Sequence, residues 1–286
     1  MTRAALISVL VAVSAAWAAD DRNWKYTDHE TIRRSFDVSA SSEPKRLLVD
    51  NVTGAVHVTG YSGKEIQVTV ERSTRAWSNS ALQAAKQEVK LDMDQQGNFV
   101  RLYADGPFRG NGGTNYRGDD YYGYHVAFDY EIQTPPGVEL VLKTINGGVA
   151  VKKTTGHFEI NGINGGIDVS QITGAGLIHT INGPVNVTFA RNPTEECQFY
   201  TLNGKLEVYF QPGLNANLAF KTFNGSVYTD FDVSALPAQP VAGEEHNGRF
   251  VFRSIRNRMA ARVGTGGPEL SFEAFNGTIR LHDKGF

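Results

Sequence analysis

The chain has 286 residues, with 28 basic and 30 acidic side chains and a formal charge of −2. That balance excludes the basic footprint of a nucleic-acid binder. A single cysteine, Cys197, excludes an intramolecular disulfide framework, so stability has to come from packing, for which the chain is long enough.

Taken in chain order, the first element is a leader. Thr2 and Arg3 precede an apolar run from Ala4 to Val13, and Ala16-Trp17-Ala18 follows. A basic start, a short apolar stretch and an Ala-x-Ala end compose a secretory signal, and the run is too short for a permanent bilayer span. Removal of residues 1–19 is expected, leaving 27 basic against 30 acidic residues. No later apolar run is long enough to span a membrane. The mature protein is therefore expected to be exported: periplasmic, cell-surface or secreted. Residues 20–46 read as an N-terminal lead-in and residues 47–286 as a single domain.

Within that domain an Asn-Gly pair recurs. "ELVLKTINGGVAV", "FEINGINGGIDV", "GLIHTINGPVNV", "CQFYTLNGKLEVYF", "LAFKTFNGSVYTDF" and "LSFEAFNGTIRLH" align on Asn146, Asn164, Asn182, Asn203, Asn224 and Asn276. The spacings are 18, 18, 21, 21 and 52 residues, so the last repeat follows an insertion. "LLVDNVTGAVHVTGYSGKEIQVTV", from Leu47 to Val70, reads as a first, degenerate copy. Around each pair the apolar residues alternate with period two, the mark of half-buried strands. Leu142, Ile160, Ile178, Phe199, Phe220 and Phe272 share one column before the pair. Val149, Ile167, Val185, Leu206, Val227 and Ile279 share one after it. Gly147, Gly165, Gly183, Gly204, Gly225 and Gly277 are expected to supply the positive φ of a tight corner, and the asparagines to hydrogen-bond along a stacked ladder. The expected fold is all-β: a β-solenoid of stacked rungs of about 18–21 residues, each completing its neighbour's core.

Two stretches break the pattern. "SNSALQAAKQEVK", Ser78 to Lys90, has a capping start and helix-favouring residues and reads as one short helix in the N-terminal part, followed by strands around "VKLDMD" and "FVRLY". Residues 104–125 are Gly- and Tyr-rich and read as an insertion. Residues 231–267 form a second insertion, gathering Arg249, Arg253, Arg256, Arg258 and Arg262. Cys197 falls in an apolar column, which favours a packed thiol.

Two candidate partner surfaces emerge. Ile145, Ile163, Ile181, Leu202, Phe223 and Phe275 each precede a corner asparagine. Strict alternation points them outward as an apolar stripe, whereas a twisted corner turns them inward to cap the core. The other surface is the aromatic insertion with Tyr116, Tyr121, Tyr122 and Tyr124, whose flat apolar faces and polar tips suit sugars and proteins. Alternatively, the insertion folds back to cap the stack.

The "GIN" at Gly162-Ile163-Asn164, with the reiterated apolar-Asn-Gly rungs behind a signal, resembles exported bacterial adhesin domains of the head-GIN type. The resemblance implies an exported β-solenoid and carries no catalytic residues with it. No G-x-S-x-G, H-E-x-x-H or P-loop motif is present, and no metal or cofactor is implied. The expected function is a non-enzymatic, adhesin-like or scaffold module binding a protein or glycan partner at the cell envelope. The alternatives are a self-assembling envelope protein and a polysaccharide-active enzyme, with Asp168, Lys152 and Lys153 as candidates.

Overall fold

A computed structural model describes residues 24–39, 43–110, 113–114, 119–236, 244–246, 249–251 and 258–283. The expected leader lies outside them. The N-terminal part contains strands β1 (Tyr26–Asp37), β2 (Lys45–Asp50), β3 (Val56–Gly60) and β4 (Glu65–Ala76), helix α1 (Asn79–Glu88), and strands β5 (Lys90–Gln96) and β6 (Phe99–Asp105). A small hairpin, β7 (Arg109–Gly110) and β8 (Gly113–Thr114), a turn of helix α2 (Asp119–Tyr122) and strand β9 (Tyr124–Thr134) follow. Helix α1 starts where Ser78 Oγ accepts the Ala81 N–H at 3.1 Å, a cap that stabilises by about 1 kcal/mol. It buries Leu82 and Ala85.

The regular part consists of strand pairs separated by the Asn-Gly corner. They are β10 (Val138–Asn146) with β11 (Val149–Lys152), β12 (Phe158–Asn164) with β13 (Ile167–Ile172), β14 (Gly176–Asn182) with β15 (Val185–Phe189), and β16 (Cys197–Asn203) with β17 (Leu206–Phe210). The C-terminal part holds β18 (Ala216–Asn224), β19 (Val227–Thr229), β20 (Val233–Ala235), β21 (Glu244–His246), β22 (Arg249–Val251), β23 (Arg258–Val263), β24 (Glu269–Asn276) and β25 (Ile279–Asp283).

These strands form two large sheets of mixed direction, and the members of each corner pair belong to different sheets. The first sheet has the order β1-β4-β9-β3-β11-β13-β15-β17-β25-β19. The second runs β20-β23-β18-β24-β16-β14-β12-β10-β2-β6-β5. Pairing is parallel through the middle, with Leu142 beside Ile160, Ile160 beside Ile178 and Ile178 beside Phe199. It is antiparallel at the outer strands, where β1 lies against β4, β4 against β9, β5 against β6 and β23 against β18. Both inward columns are buried along the middle, and each such side chain contributes about 1.5–3 kcal/mol. Cys197 is fully buried among them, and burial pushes its thiol up to about 11.

Spatial order departs from chain order at both ends. The last repeat in the sequence does not stack beyond Asn224. Instead β24 lies between β16 and β18, and β25 between β17 and β19. Phe272 is the physical reason: its ring stacks on Phe199 at 5.3 Å and on Phe220 at 5.5 Å, filling a layer that neither neighbour fills alone. At the other end β2 lies between β10 and β6, and β3 between β11 and β9. The first repeat keeps its corner form only as far as Gly60. Beyond it β4 turns into a long antiparallel partner of β1 and β9. Parts of both insertions are ordered strand: β9 starts inside 104–125, and β20 and β23 extend the second sheet.

Candidate functional site

The corner is built by backbone, amide and hydroxyl together. Gly147, Gly165, Gly183, Gly204 and Gly277 each donate their N–H to the asparagine carbonyl of an adjacent corner, as in Gly147 to Asn164 at 2.9 Å and Gly277 to Asn224 at 3.1 Å. Asn164 Nδ2 donates to Asn146 Oδ1, Asn182 to Asn164 and Asn203 to Asn182, each at 2.9 Å. Asn276 then donates to Asn203, and Asn224 to Asn276, both at 2.8 Å. Beneath the ladder, Thr180 Oγ1 donates to the Gly165 carbonyl at 3.2 Å and Thr201 Oγ1 to that of Gly183 at 3.0 Å. The threonines were not singled out from the sequence, although their signal is plain: Thr144, Thr180, Thr201 and Thr222 all stand two residues before a corner asparagine.

The role expected of the corner glycines needs correction. Among Gly147, Gly165, Gly183, Gly204, Gly225 and Gly277, only Gly165 has a φ in the left-handed region, at 155°. The requirement at all six is space. A Cβ on any of them would sit 1.7–2.2 Å from the carbonyl oxygen of the glycine stacked against it. Glycine serves here for close backbone approach rather than for its dihedral freedom.

The residues before the asparagines do not all share one environment. Ile145 is half-buried and packs against the core, and Ile181 and Leu202 are half-buried. Ile163, Phe275 and Phe223 are 38%, 40% and 65% exposed. In space the column runs Ile145, Ile163, Ile181, Leu202, Phe275, Phe223, and the last two rings stack at 4.9 Å with 7° between their planes. At about 4.8 Å per strand it extends about 24 Å.

The aromatic insertion is more enclosed than a free recognition loop. Tyr124 is only 4% exposed and its hydroxyl donates to Glu88 Oε2 at 2.7 Å, so it is a core residue and not part of a partner surface. Strand alternation on β9 turns it under α1. Tyr122 is half-buried against the core and stacks on Tyr124 at 5.7 Å. Tyr121 is 63% exposed, and Tyr116 lies outside the described residues. Phe108, Tyr122 and Tyr124 close over Val52 and Phe128 at the N-terminal end of the stack. In the second insertion Arg253 and Arg256 lie outside the described residues, and Arg262 Nε donates to Asn217 Oδ1 at 3.4 Å.

A further column was missed. Three residues before the asparagines stand Lys143, Asn161, His179, Tyr200, Glu273 and Lys221, on the outer face of the second sheet. The His179 and Tyr200 rings are 4.5 Å apart at 42°, Lys221 forms an ion pair with Glu273, and burial holds His179 below its ordinary value of 6.5. The constant offset from the asparagine was the available signal. On the first sheet, Asp168 Oδ1 accepts from Asn186 at 2.7 Å and Lys153 sits at a left-handed turn with φ 56°. Among the described residues no three or more His, Cys, Asp or Glu side chains gather as a metal site, and no helix is long and apolar enough to cross a membrane.

No family model and no curated protein matches the chain. Solved structures similar to it include a provisionally named cell adhesion protein from Clostridium sporogenes ATCC 15579, with TM-score 0.45 and 12% identity over 90% of this chain and 100% of that one. A provisionally named adhesin from Bacteroides fragilis NCTC 9343 has TM-score 0.41 and 11% identity over 88% and 97%. A provisionally named lipid-binding protein from Parabacteroides distasonis ATCC 8503 has TM-score 0.27 and 12% identity over 89% and 96%.

Proposed function

We propose that this chain is an exported, non-enzymatic β-solenoid that works as an adhesin-like or scaffold module, binding a protein or glycan partner at the cell envelope. The secretory pattern of residues 1–19 supports export. The parallel register between successive Asn-Gly rungs supports the solenoid, in which no rung buries its apolar face without neighbours. The observation that carries the binding reading is the solvent-facing, stacked pair Phe275 and Phe223 at one end of the corner column, with exposed Ile163 near the other end. Apolar residues lined up on a ridge lose water-exposed area only against a partner.

The test is capture from a native envelope extract with tagged protein, beside a doubly substituted variant, Ile181→Ser with Phe223→Ser. The expected result is a specific partner retained by the parent and lost by the variant, with the variant's circular dichroism and melting cooperativity unchanged. A partner retained equally by both removes the corner column from the binding surface.

A further inference from the structure

The outer face of the second sheet carries an open groove of about 640 Å³ that crosses β12, β14, β16, β24 and β18. Five strands at about 4.8 Å spacing give it a length of about 19 Å. Its floor is lowered where Ser271 and Ala219 stand in the column that holds the larger Leu177 and Gln198. Its wall toward the corner is the column of Asn161, His179, Tyr200, Glu273 and Lys221.

The chemistry of the lining narrows what fits. Lys221 and Glu273 neutralise each other across adjacent strands, and Glu269 Oε1 accepts the Ser271 hydroxyl at 3.2 Å. A polyanion needs unpaired cations, which this lining does not offer. An apolar peptide needs an apolar floor, and Leu177 is the sole aliphatic side chain larger than alanine on that outer face of the groove. What the groove offers is the His179–Tyr200 aromatic surface bordered by amide, ammonium and carboxylate groups. Asn161 is already oriented by donating to Glu159 Oε1 at 2.9 Å. A sugar ring presents an apolar C–H face and a rim of hydroxyls that both donate and accept, which matches such a lining.

We propose that this groove is a binding site for a neutral saccharide chain, laid across the strands with one ring against Tyr200 and His179. The proposal rests on the binding reading above and names its ligand class, but it places the ligand on the sheet face instead of the corner ridge.

Affinity electrophoresis tests it, with the purified protein run in native gels containing galactomannan, glucomannan or dextran, and alginate as the polyanion. Retardation is expected in at least one neutral gel and not in alginate. Tyr200→Ala is expected to weaken it about tenfold. Tyr200→Phe, which keeps the ring, and Phe223→Ser, which lies on the ridge, should migrate as the parent does. Absence of retardation in all three neutral gels, preference for alginate, or an unchanged Tyr200→Ala each overturns the proposal. If Tyr200→Ala is silent while Ile181→Ser with Phe223→Ser loses its envelope partner, the groove fails and the general reading stands. If neither changes anything, both fail.

Discussion

Between Val138 and Phe210 successive strand pairs lie side by side in chain order, whereas at each end a pair stands out of sequence. In the middle the connections are short, so each strand meets the only neighbour within reach. At the ends long excursions intervene: residues 61–98 separate β3 from β6, and residues 230–268 separate β19 from β24. There the neighbour is selected by fit. Phe272 enters between Phe199 and Phe220, and Leu47 lies in register with both Val100 and Leu140. Spacing decides order where connections are short, and side-chain complementarity decides it where they are long.

The sharpest test of that contrast is all or none. Cys197 is in register with Leu270 on the adjacent strand, while Leu218 is one strand further on. Adjacent strands lie about 4.8 Å apart, within disulfide reach, and alternate strands about 10 Å apart, beyond it. Oxidised Leu270→Cys should therefore lose both free thiols in a thiol titration and Leu218→Cys should keep both. The opposite pattern would restore chain order to the stack. Next in size, Phe272→Ala should cost about 3–5 kcal/mol in urea unfolding, against about 0.5–1.5 kcal/mol for Ile160→Val in the middle. Equal costs would mean that the ring stack does not position the returning strand.

Smaller effects separate close approach from dihedral freedom. Gly277→Ala brings a Cβ to 1.7 Å from the Gly204 oxygen and should cost about 3 kcal/mol. Gly97→Ala, at φ 58° with open space around it, should cost about 1 kcal/mol. The same unfolding measurement compares them, and a reversed ranking would return the corner glycines to a dihedral role. The smallest effect lies at the N-terminal end. The hydrogen bond that His57 Nδ1 donates to Glu131 Oε1, at 2.6 Å, holds His57 above its ordinary value of 6.5 against the opposing effect of burial. The folded state thus binds that proton more tightly than the unfolded chain. Its contribution is fully present below about pH 6.5 and is lost as the pH rises through the higher folded value. With Glu131 largely exposed, it should stay below about 1 kcal/mol. Melting curves across this window should show a fall in the parent that His57→Gln lacks.

Much of the local architecture was readable residue by residue. Period-two alternation placed Leu142, Ile160 and Ile178 in one column because strand side chains alternate faces whatever surrounds them. Ser78 marked the start of α1 because an N-cap is a local bond. The candidate surfaces were less legible. Tyr124 looked like its tyrosine neighbours in composition, but its burial depends on α1, whose approach no local pattern records. The groove at Tyr200 and His179 was missed because its depth comes from Ser271, brought alongside from seventy-one residues further on.

Sequence alone determined the strand period, the Asn-Gly corners and the inward columns. These follow from backbone geometry and from short-range spacing, and act within a few residues. Tertiary structure alone decided which rung stands beside which at the ends, why a Cβ is excluded from the corner, and which apolar residues meet solvent. Each depends on atoms that are distant in the chain and in contact in space. Van der Waals contact and loss of water select such neighbours by shape, and a linear pattern carries no record of shape.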